Sequence, residues 1–477
     1  MQTAPLSSRA ALQDRRRALS ARLAESLPGR IGLILAGGPQ ARNYRGNPYP
    51  FRCSSNALFL CGQLPEWSVL LIDPSRSEDG LLFVREETPA DQLWHGEGLS
   101  VEDWGERLGC PSLPLASLER WLEERDAPLV GLPQYQAEMI TRQEALLARA
   151  YNADEESDDV TWVRLLVEAR LRHDAEGLKG LRAAAQLTAE AHREGLKALA
   201  TLELSGEGIQ APTAHIIKAA MEAPLTRRGA TPAYTPIITP HGEVLHQHDH
   251  SAHLSAGELL LVDFGAELTG EGCGDVTRTW PIGGRFSSTQ RAIYEVVLAS
   301  LRAATDRVRV GVEYREVHAR ACEVLAEGLS ALGIFKVSPA EALECNAHAL
   351  FFPHGVGHLL GLDVHDMEDL GDLAGYAPGR RRDERFGWGY VRLNRPLEEG
   401  MVVTVEPGFY QVPALLKHPE RVGAHAASCV DWERLAEFSD VRGIRLEDDV
   451  LVTKGDPEVL SGAIPLEVEA IEALLQS

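Results

Sequence analysis

A chain of 477 residues is longer than one ordinary domain, and its 44% hydrophobic and 25% charged residues are the composition of a globular protein. Lys and Arg number 47 against 70 Asp and Glu, a net charge of −23, which argues against a nucleic-acid or anionic-membrane partner. Seven scattered cysteines without a C-x-x-C pair describe a reduced, cytoplasmic setting rather than a disulfide framework.

No apolar run approaches the roughly 20 residues of a membrane span. The basic triplet Arg15–Arg17 has no apolar stretch behind it, so no secretory leader is expected. The pattern predicts an amphipathic helix from Gln13 to about Leu27 and a buried strand from Ile31. After a rigid turn at Asn47–Pro50, short strands are predicted at Ala57–Leu60, Ser68–Ile72 and Leu81–Val84. Helical stretches follow around Leu118–Glu124 and Gln134–Ala150. Alternation of this kind describes a mixed α/β domain. It carries no catalytic constellation; His95 and Cys61 stand alone in it.

The acidic run Asp154–Asp159 reads as a solvated linker or a helix cap and places a boundary between domains at 1–160 and 161–477. Beyond it, Leu178, Leu181, Ala185, Ala189 and Leu196 recur at helical spacing within Asp174–Leu199. A capping box, Ser287–Gln290, opens a second helix that buries Ile293, Val296, Val297 and Leu301. A third helix is predicted from Tyr314 to Leu332, stopped by Gly333. Residues 371–389 form a long irregular stretch with Arg380–Arg382 and Arg385, equally suited to handling an anion and to lying solvated on the surface.

The chemistry gathers where apolar runs end on polar atoms. Leu259–Thr279 reads as two strands joined by a turn at Gly270, Gly272 and Gly274, with Asp263 ending the first strand and Asp275–Thr277 opening the second. Folding that hairpin brings two carboxylates together, and they repel unless a proton or a cation lies between them. Aspartates beside glycines are also ordinary turn caps. Phe351–His358 puts His354 and His358 four apart, but Gly355 and Gly357 argue against a helix, and Gly355 stands where an H-E-x-x-H motif needs glutamate. Met401–Glu406 is an apolar strand ending on a carboxylate, and Gly443–Thr453 alternates as one strand with Glu447 on the Arg445 face. Four clustered carboxylates carry about four negative charges, too many to bury without cations.

Asp263, Asp275, His358, Glu406 and Glu447, in this order, resemble the dinuclear centre of the pita-bread metallopeptidases. HGVGHLLGLDVHD at 354–366, TVEPGFY at 404–410 and GIRLEDDVLVT at 443–453 resemble the Xaa-Pro branch of that family, aminopeptidase P and prolidase. Tyr49–Asn56 and Leu93–Gly96 resemble its first domain. The implied fold class is α/β (α+β): a mixed N-terminal domain followed by a pita-bread catalytic domain. The implied activity is hydrolysis of the bond between an N-terminal residue and a following proline, by a hydroxide held between two ions. Aminopeptidase P is the first reading and prolidase the alternative. Metal-free binding proteins and creatine hydrolases share the fold but lack the five ligands.

The resemblance makes Asp263, Asp275, His358, Glu406 and Glu447 the metal ligands, with Asp275 and Glu447 bridging. One nitrogen and four carboxylates suit manganese (Mn²⁺) best, with Zn²⁺ or Co²⁺ able to occupy the site. Glu406 is the implied proton acceptor. His365 is assigned to the oxyanion, and His354 and His246 to substrate and leaving-group contacts. Tyr410 and Arg445 orient carboxylates and substrate, and Arg392 stands where prolidases clamp the substrate carboxylate. Peptides with proline second are the implied partners, with no nucleic acid or membrane, and the protein is expected to be a homo-oligomer, a dimer or tetramer. Two departures stand out. Asp263 and Asp275 are twelve residues apart, one more than the resemblance implies, so a bulged turn is expected. Gln247–His250 also replaces the usual aromatic–asparagine sequence after His246.

Overall fold

The computed structural model describes residues 7–125, 127–204 and 211–476. The chain divides into two compact units, one running to Gly177 with the short segments Thr269–Glu271 and Met367–Ala374, the other comprising the remainder. No helix among the described residues is long and apolar enough to cross a membrane.

The first unit is built on a five-stranded mixed sheet in the order Ser112–Pro114, Ser77–Val84, Val69–Asp73, Ile31–Leu35, Leu129–Val130. Ile31, Leu33, Leu35, Val69, Leu71 and Phe83 join Leu118, Met139 and Leu147 in one apolar cluster. The helix Arg9–Ser26 buries Leu12, Leu19 and Leu23, and with them the whole of Arg16. That guanidinium is satisfied by three carbonyls, donating to Asp79 O, Leu60 O and Leu108 O at 2.6–2.7 Å. A buried arginine paired only with backbone fixes where three segments meet.

One expectation changes here, and an open alternative is decided. Residues 57–60, predicted as a strand, lie in the helix Ser55–Cys61, whose N-cap Ser54 accepts from Ala57 N. Burial on nearly every side erased the periodicity that separates helix from strand. The acidic run 154–159 is a cap: Ser157 accepts from Val160 N to open the helix Asp158–Arg170. Asp159 is buried rather than solvated, holding Arg149, Gly131 N and Asn152 N. His95 ends the exposed helix Pro89–His95, and Cys61 is buried.

In the second unit the helices Ala175–Ala200, Ala214–Arg227, Ser288–Thr305 and Tyr314–Ala331 accompany small antiparallel sheets. Ser288–Thr305 and Tyr314–Ala331 pack closely because residue 328 is glycine; a Cβ there would lie 2.5 Å from Val296. Leu259–Asp263 is the central strand between Ile237–Thr239 and Thr277–Pro281. The hairpin keeps one register throughout, from Asp263 opposite Thr277 to Leu268 opposite Gly272. No bulge shifts that register, and the three residues Thr269–Glu271 make the turn.

The ladders are interrupted where the chemistry was expected. Asp275 is not the start of a strand: it lies in the gap between Gly272–Cys273 and Thr277–Pro281. Glu406 falls between Val402–Val405 and Gly408–Tyr410. The stretch predicted as one strand from Gly443 is two, Gly443–Arg445 pairing with Gly408–Tyr410 and Asp448–Leu451 with Val402–Val405, and Glu447 stands in the break. Pairing with two partners in succession requires that break.

Candidate metal centre

Each gap is closed by hydrogen bonds from another part of the chain. Glu447 N donates to Thr277 O at 3.0 Å and Glu406 N to Val356 O at 2.8 Å. Asp275 N donates to the carboxylate of Asp449 at 3.1 and 3.2 Å. The backbone is therefore held without a ladder, and the side chains of the gap residues turn into one cavity of about 720 Å³. The histidine segment reaches that cavity through a close approach. A Cβ on Gly357 would lie 2.2 Å from Thr404 O and 2.3 Å from the Tyr314 hydroxyl, so only glycine fits. His358 then docks on the strand, its N–H donating to Thr404 Oγ1 at 3.1 Å and its carbonyl accepting from Thr404 N at 3.0 Å.

Asp263, Asp275, His358, Glu406 and Glu447 all line this cavity, as do His246, His354, His365, Arg392 and Arg445. Donor atoms of Asp275, His358 and Glu447 lie within 4.8 Å of one another. His358 Nε2 faces Asp275 Oδ2 at 3.3 Å and Glu406 Oε1 at 3.8 Å. His358 Nδ1–H donates to Leu359 O at 2.9 Å, which leaves Nε2 unprotonated and pointing at carboxylates. A lone pair facing anions is repulsive, and a cation between them makes it attractive.

The charge balance demands the same. Arg445 is buried among the carboxylates, 2.5 Å from Asp263 Oδ2, with Nε on Thr277 Oγ1 at 3.0 Å and Nη1 on Tyr410 Oη at 3.2 Å. One arginine does not balance four carboxylates. Burial pushes Asp275 up to about 6, and burial with repulsion from neighbouring carboxylates pushes Glu406 up to about 8 and Glu447 well above the carboxylate range. Asp263 is also raised by burial, against the opposing pull of Arg445. Burial holds His354 down to about 3, His358 to about 4 and His365 to about 2, so all three imidazoles stay neutral. Four oxygen donors, a neutral imidazole and excess negative charge fit divalent cations.

The remaining residues take distinct positions. His354 Nε2 lies 2.9 Å from Tyr410 Oη and its Nδ1 2.8 Å from Gly355 O, with Glu406 Oε2 at 3.8 Å. Tyr410 is fully buried behind the wall, touching His354 and Arg445. His365 adopts a left-handed backbone, φ 56°, and sets its ring edge-on to His358 at 4.2 Å. Arg392 lines the cavity, as do the apolar residues Ile237, Leu245, Val412 and Leu415. Of the basic run, Arg380 is committed to Glu313, Arg385 to Asp383 and Arg382 to the face of Tyr376. Phe386 and Tyr390 from the same stretch face the cavity.

Several residues were not foreseen. Tyr234 donates a short hydrogen bond to Asp263 Oδ1, and nothing around it in the sequence marks it. Thr277 Oγ1 donates to Glu447 Oε2 at 2.6 Å. Within Glu447–Asp449 the three carboxylates part company: Glu447 enters the cavity, Asp448 pairs with buried Arg278 at 2.8 Å, and Asp449 holds Asp275 N. His248 stands on the cavity wall stacked on His246 at 6.3 Å, where the resemblance implied other residues.

Comparison with known proteins agrees over the whole chain. Xaa-Pro aminopeptidase of Escherichia coli is 29% identical, covering 98% of each chain. Xaa-Pro dipeptidase of Xanthomonas campestris is 40% identical over 235 residues, 46% of this chain and 51% of that one. The structure of Pseudomonas aeruginosa aminopeptidase PepP superposes with a TM-score of 0.79 at 28% identity, covering 98% of both. The aminopeptidase P N-terminal domain matches residues 12–127, and metallopeptidase family M24 matches residues 179–454. The chain belongs to metallopeptidase family M24, with an aminopeptidase P N-terminal domain ahead of a pita-bread domain.

Proposed function

We propose that this protein is an Xaa-Pro aminopeptidase that removes the N-terminal residue from peptides with proline in second position. The observation that carries the reading is the single cavity into which the chain turns four gap or strand-end carboxylates and three neutral histidines. Likeness to the E. coli enzyme over nearly the full length supports the aminopeptidase class. The division at 1–160 and 161–477 belongs to this proposal, supported by the two family matches.

Asp263, Asp275, His358, Glu406 and Glu447 would hold two divalent cations, and manganese suits the oxygen-rich donor set best. Such a pair supplies a water of lowered pKa and a Lewis acid for the scissile carbonyl. Glu406 accepts the proton of the attacking water, a role open to a carboxylate on the wall of the cavity. His365 donates to the carbonyl oxygen as it gains charge, and His354, steadied by Tyr410, contacts the departing proline nitrogen. His246 contacts substrate from the outer wall. Arg445 and Tyr410 hold the carboxylates and His354 in place. Seven free thiols support a cytoplasmic setting. The homo-oligomer rests on the family resemblance, and light scattering of purified protein tests it.

A second reading, prolidase, is favoured by Arg392 on the cavity wall and by the dipeptidase relative. A substrate ending at proline needs a fixed cation for its carboxylate, and bidentate arginine serves best. The deciding experiment assays wild type and Arg392→Ala on an Xaa-Pro dipeptide and on the same peptide extended by several residues. The proposal expects cleavage of the extended peptide, with KM rising in the variant for the dipeptide alone. Cleavage of dipeptides only would hand the function to prolidase, and no cleavage of either by metal-loaded protein would remove both readings.

A further inference from the structure

A second cavity, of about 570 Å³, shares a wall with the catalytic one. Phe386 and Tyr390 line both, their rings edge-to-face with centroids 5.9 Å apart. The segment after Tyr410 also serves both. Val412, Ala414 and Leu415 line the catalytic cavity, and Glu420, Arg421 and Val422 line the other.

Both walls of the second cavity are fixed. Asn346 Nδ2 donates to Phe386 O and to Val422 O, each at 3.0 Å, so one amide ties the two segments together. Trp388, between the two aromatic residues in sequence, carries Arg385 over its ring at 4.4 Å and Arg315 at 5.4 Å, and meets buried His318 edge-on at 4.6 Å. Backbone approaches close the frame. A Cβ on Gly355 would lie 2.7 Å from Tyr390 O, and one on Gly423 2.7 Å from Cys345 O. Of the charged groups here, Arg385 is paired with Asp383 at 2.7 Å and Glu420 with His418 at 3.3 Å. The side chains of Glu384 and Arg421 make no hydrogen bond or ion pair among the described residues.

We propose, resting on the aminopeptidase reading, that this second cavity is the subsite for the residues that follow proline in an extended substrate. An aminopeptidase binds one residue ahead of the scissile bond, so the remainder of the peptide needs room on the far side of proline alone. Arg392, two residues after Tyr390, suits the carboxylate of a chain that ends at proline. A longer chain carries a peptide bond in place of that carboxylate and continues past the Tyr390 wall. The space beyond lies within the range of about 300–1,000 Å³ typical of ligand clefts. Its free groups match a main chain, which offers one N–H and one carbonyl per residue. Glu384 accepts from the former and Arg421 donates to the latter. Recognition of this kind holds the backbone and is indifferent to the side chains beyond proline.

The test is a length series on metal-loaded full-length protein, Ala-Pro followed by one to four alanines, with wild type and Arg421→Glu. Arg421 is exposed, so the change exchanges a donor for an acceptor without disturbing the core. In wild type, kcat/KM should rise along the series through a falling KM and level off once the cavity is filled. In Arg421→Glu the rise should be lost. KM for the longest peptide should increase about fivefold, the most that an exposed charged contact is worth, with kcat little changed and the tripeptide affected least. A wild-type kcat/KM that is flat along the series overturns the proposal and leaves the aminopeptidase reading standing. So does an equal rise in KM at every length. No cleavage at any length removes that reading and the subsite with it.

Discussion

Thr277 offers the sharpest check on how the carboxylates are held. Its hydroxyl is fully buried, donates to Glu447 Oε2 at 2.6 Å and accepts from Arg445 Nε at 3.0 Å. Thr277→Val keeps the shape and opens no cavity, so the change isolates the two hydrogen bonds. A hydrogen bond to a charged group is worth about 1.5–3 kcal/mol, and a buried donor left unpaired costs about 1–3 kcal/mol more. A residue that orients a metal-binding carboxylate typically accounts for about 10–100-fold in affinity, or about 1.4–2.7 kcal/mol. We therefore expect the chelator-stripped variant to melt lower than wild type and to bind Mn²⁺ at least tenfold more weakly. Calorimetric titration measures the affinity and a denaturant series the stability. Thr277→Ser, which keeps the hydroxyl, should recover most of both. Affinity within threefold of wild type for Thr277→Val would show that Glu447 is positioned by its backbone alone and would refute the argument.

Other expectations concern single residues. Asp275→Ala should lose bound metal and hydrolysis together, read by elemental analysis beside peptide turnover; a variant retaining two ions at wild-type affinity would remove Asp275 from the ligand set. His365→Ala should keep its metal while kcat falls by about 10²–10³, and unchanged turnover would withdraw its oxyanion role. The pH dependence of stability carries a signature of His192, which is fully buried with Nε2 3.1 Å from Phe264 O and is pushed down to about 3 by burial. Its folded pKa lies below the unfolded value of about 6.5. The unfolded chain therefore binds the extra proton, and this contribution is complete above about 6.5 and is lost as pH falls toward 3. By pH 5 the loss is about 2 kcal/mol, so His192→Gln should flatten the decline in melting temperature between pH 6.5 and 5, and an unchanged slope would show that other groups set it.

Much of this site was legible because the chemistry obeys a local rule: an apolar run stops on a carboxylate. Asp263 and Glu406 follow that rule, and the glycines around His354 and His358 exclude a helix and signal a close approach. What stayed hidden depended on distant partners. Nothing near Thr277 says that it touches Glu447, and nothing near Tyr234 points to Asp263. Gly443–Thr453 alternates well enough to look like one strand, and only its two successive neighbours reveal the break at Glu447. The helix Ser55–Cys61 was unreadable because its sides are almost uniformly buried. Arg380 and Arg385 looked available for an anion until their partners, Glu313 and Asp383, came into view.

The unbroken hairpin register sets a rule for which changes in chain length the centre can survive. Side chains on paired arms alternate faces, so one residue added or removed between Leu259 and Leu268, or between Gly272 and Pro281, would swing an aspartate away from the cavity. The tip is exempt from that restriction, because Thr269–Glu271 can lengthen or shorten while the paired positions on either side stay matched. Insertions at the tip are silent for the two aspartates, whereas single-residue insertions in either arm are disabling. In this segment, position relative to the turn matters more than the number of residues between the two aspartates.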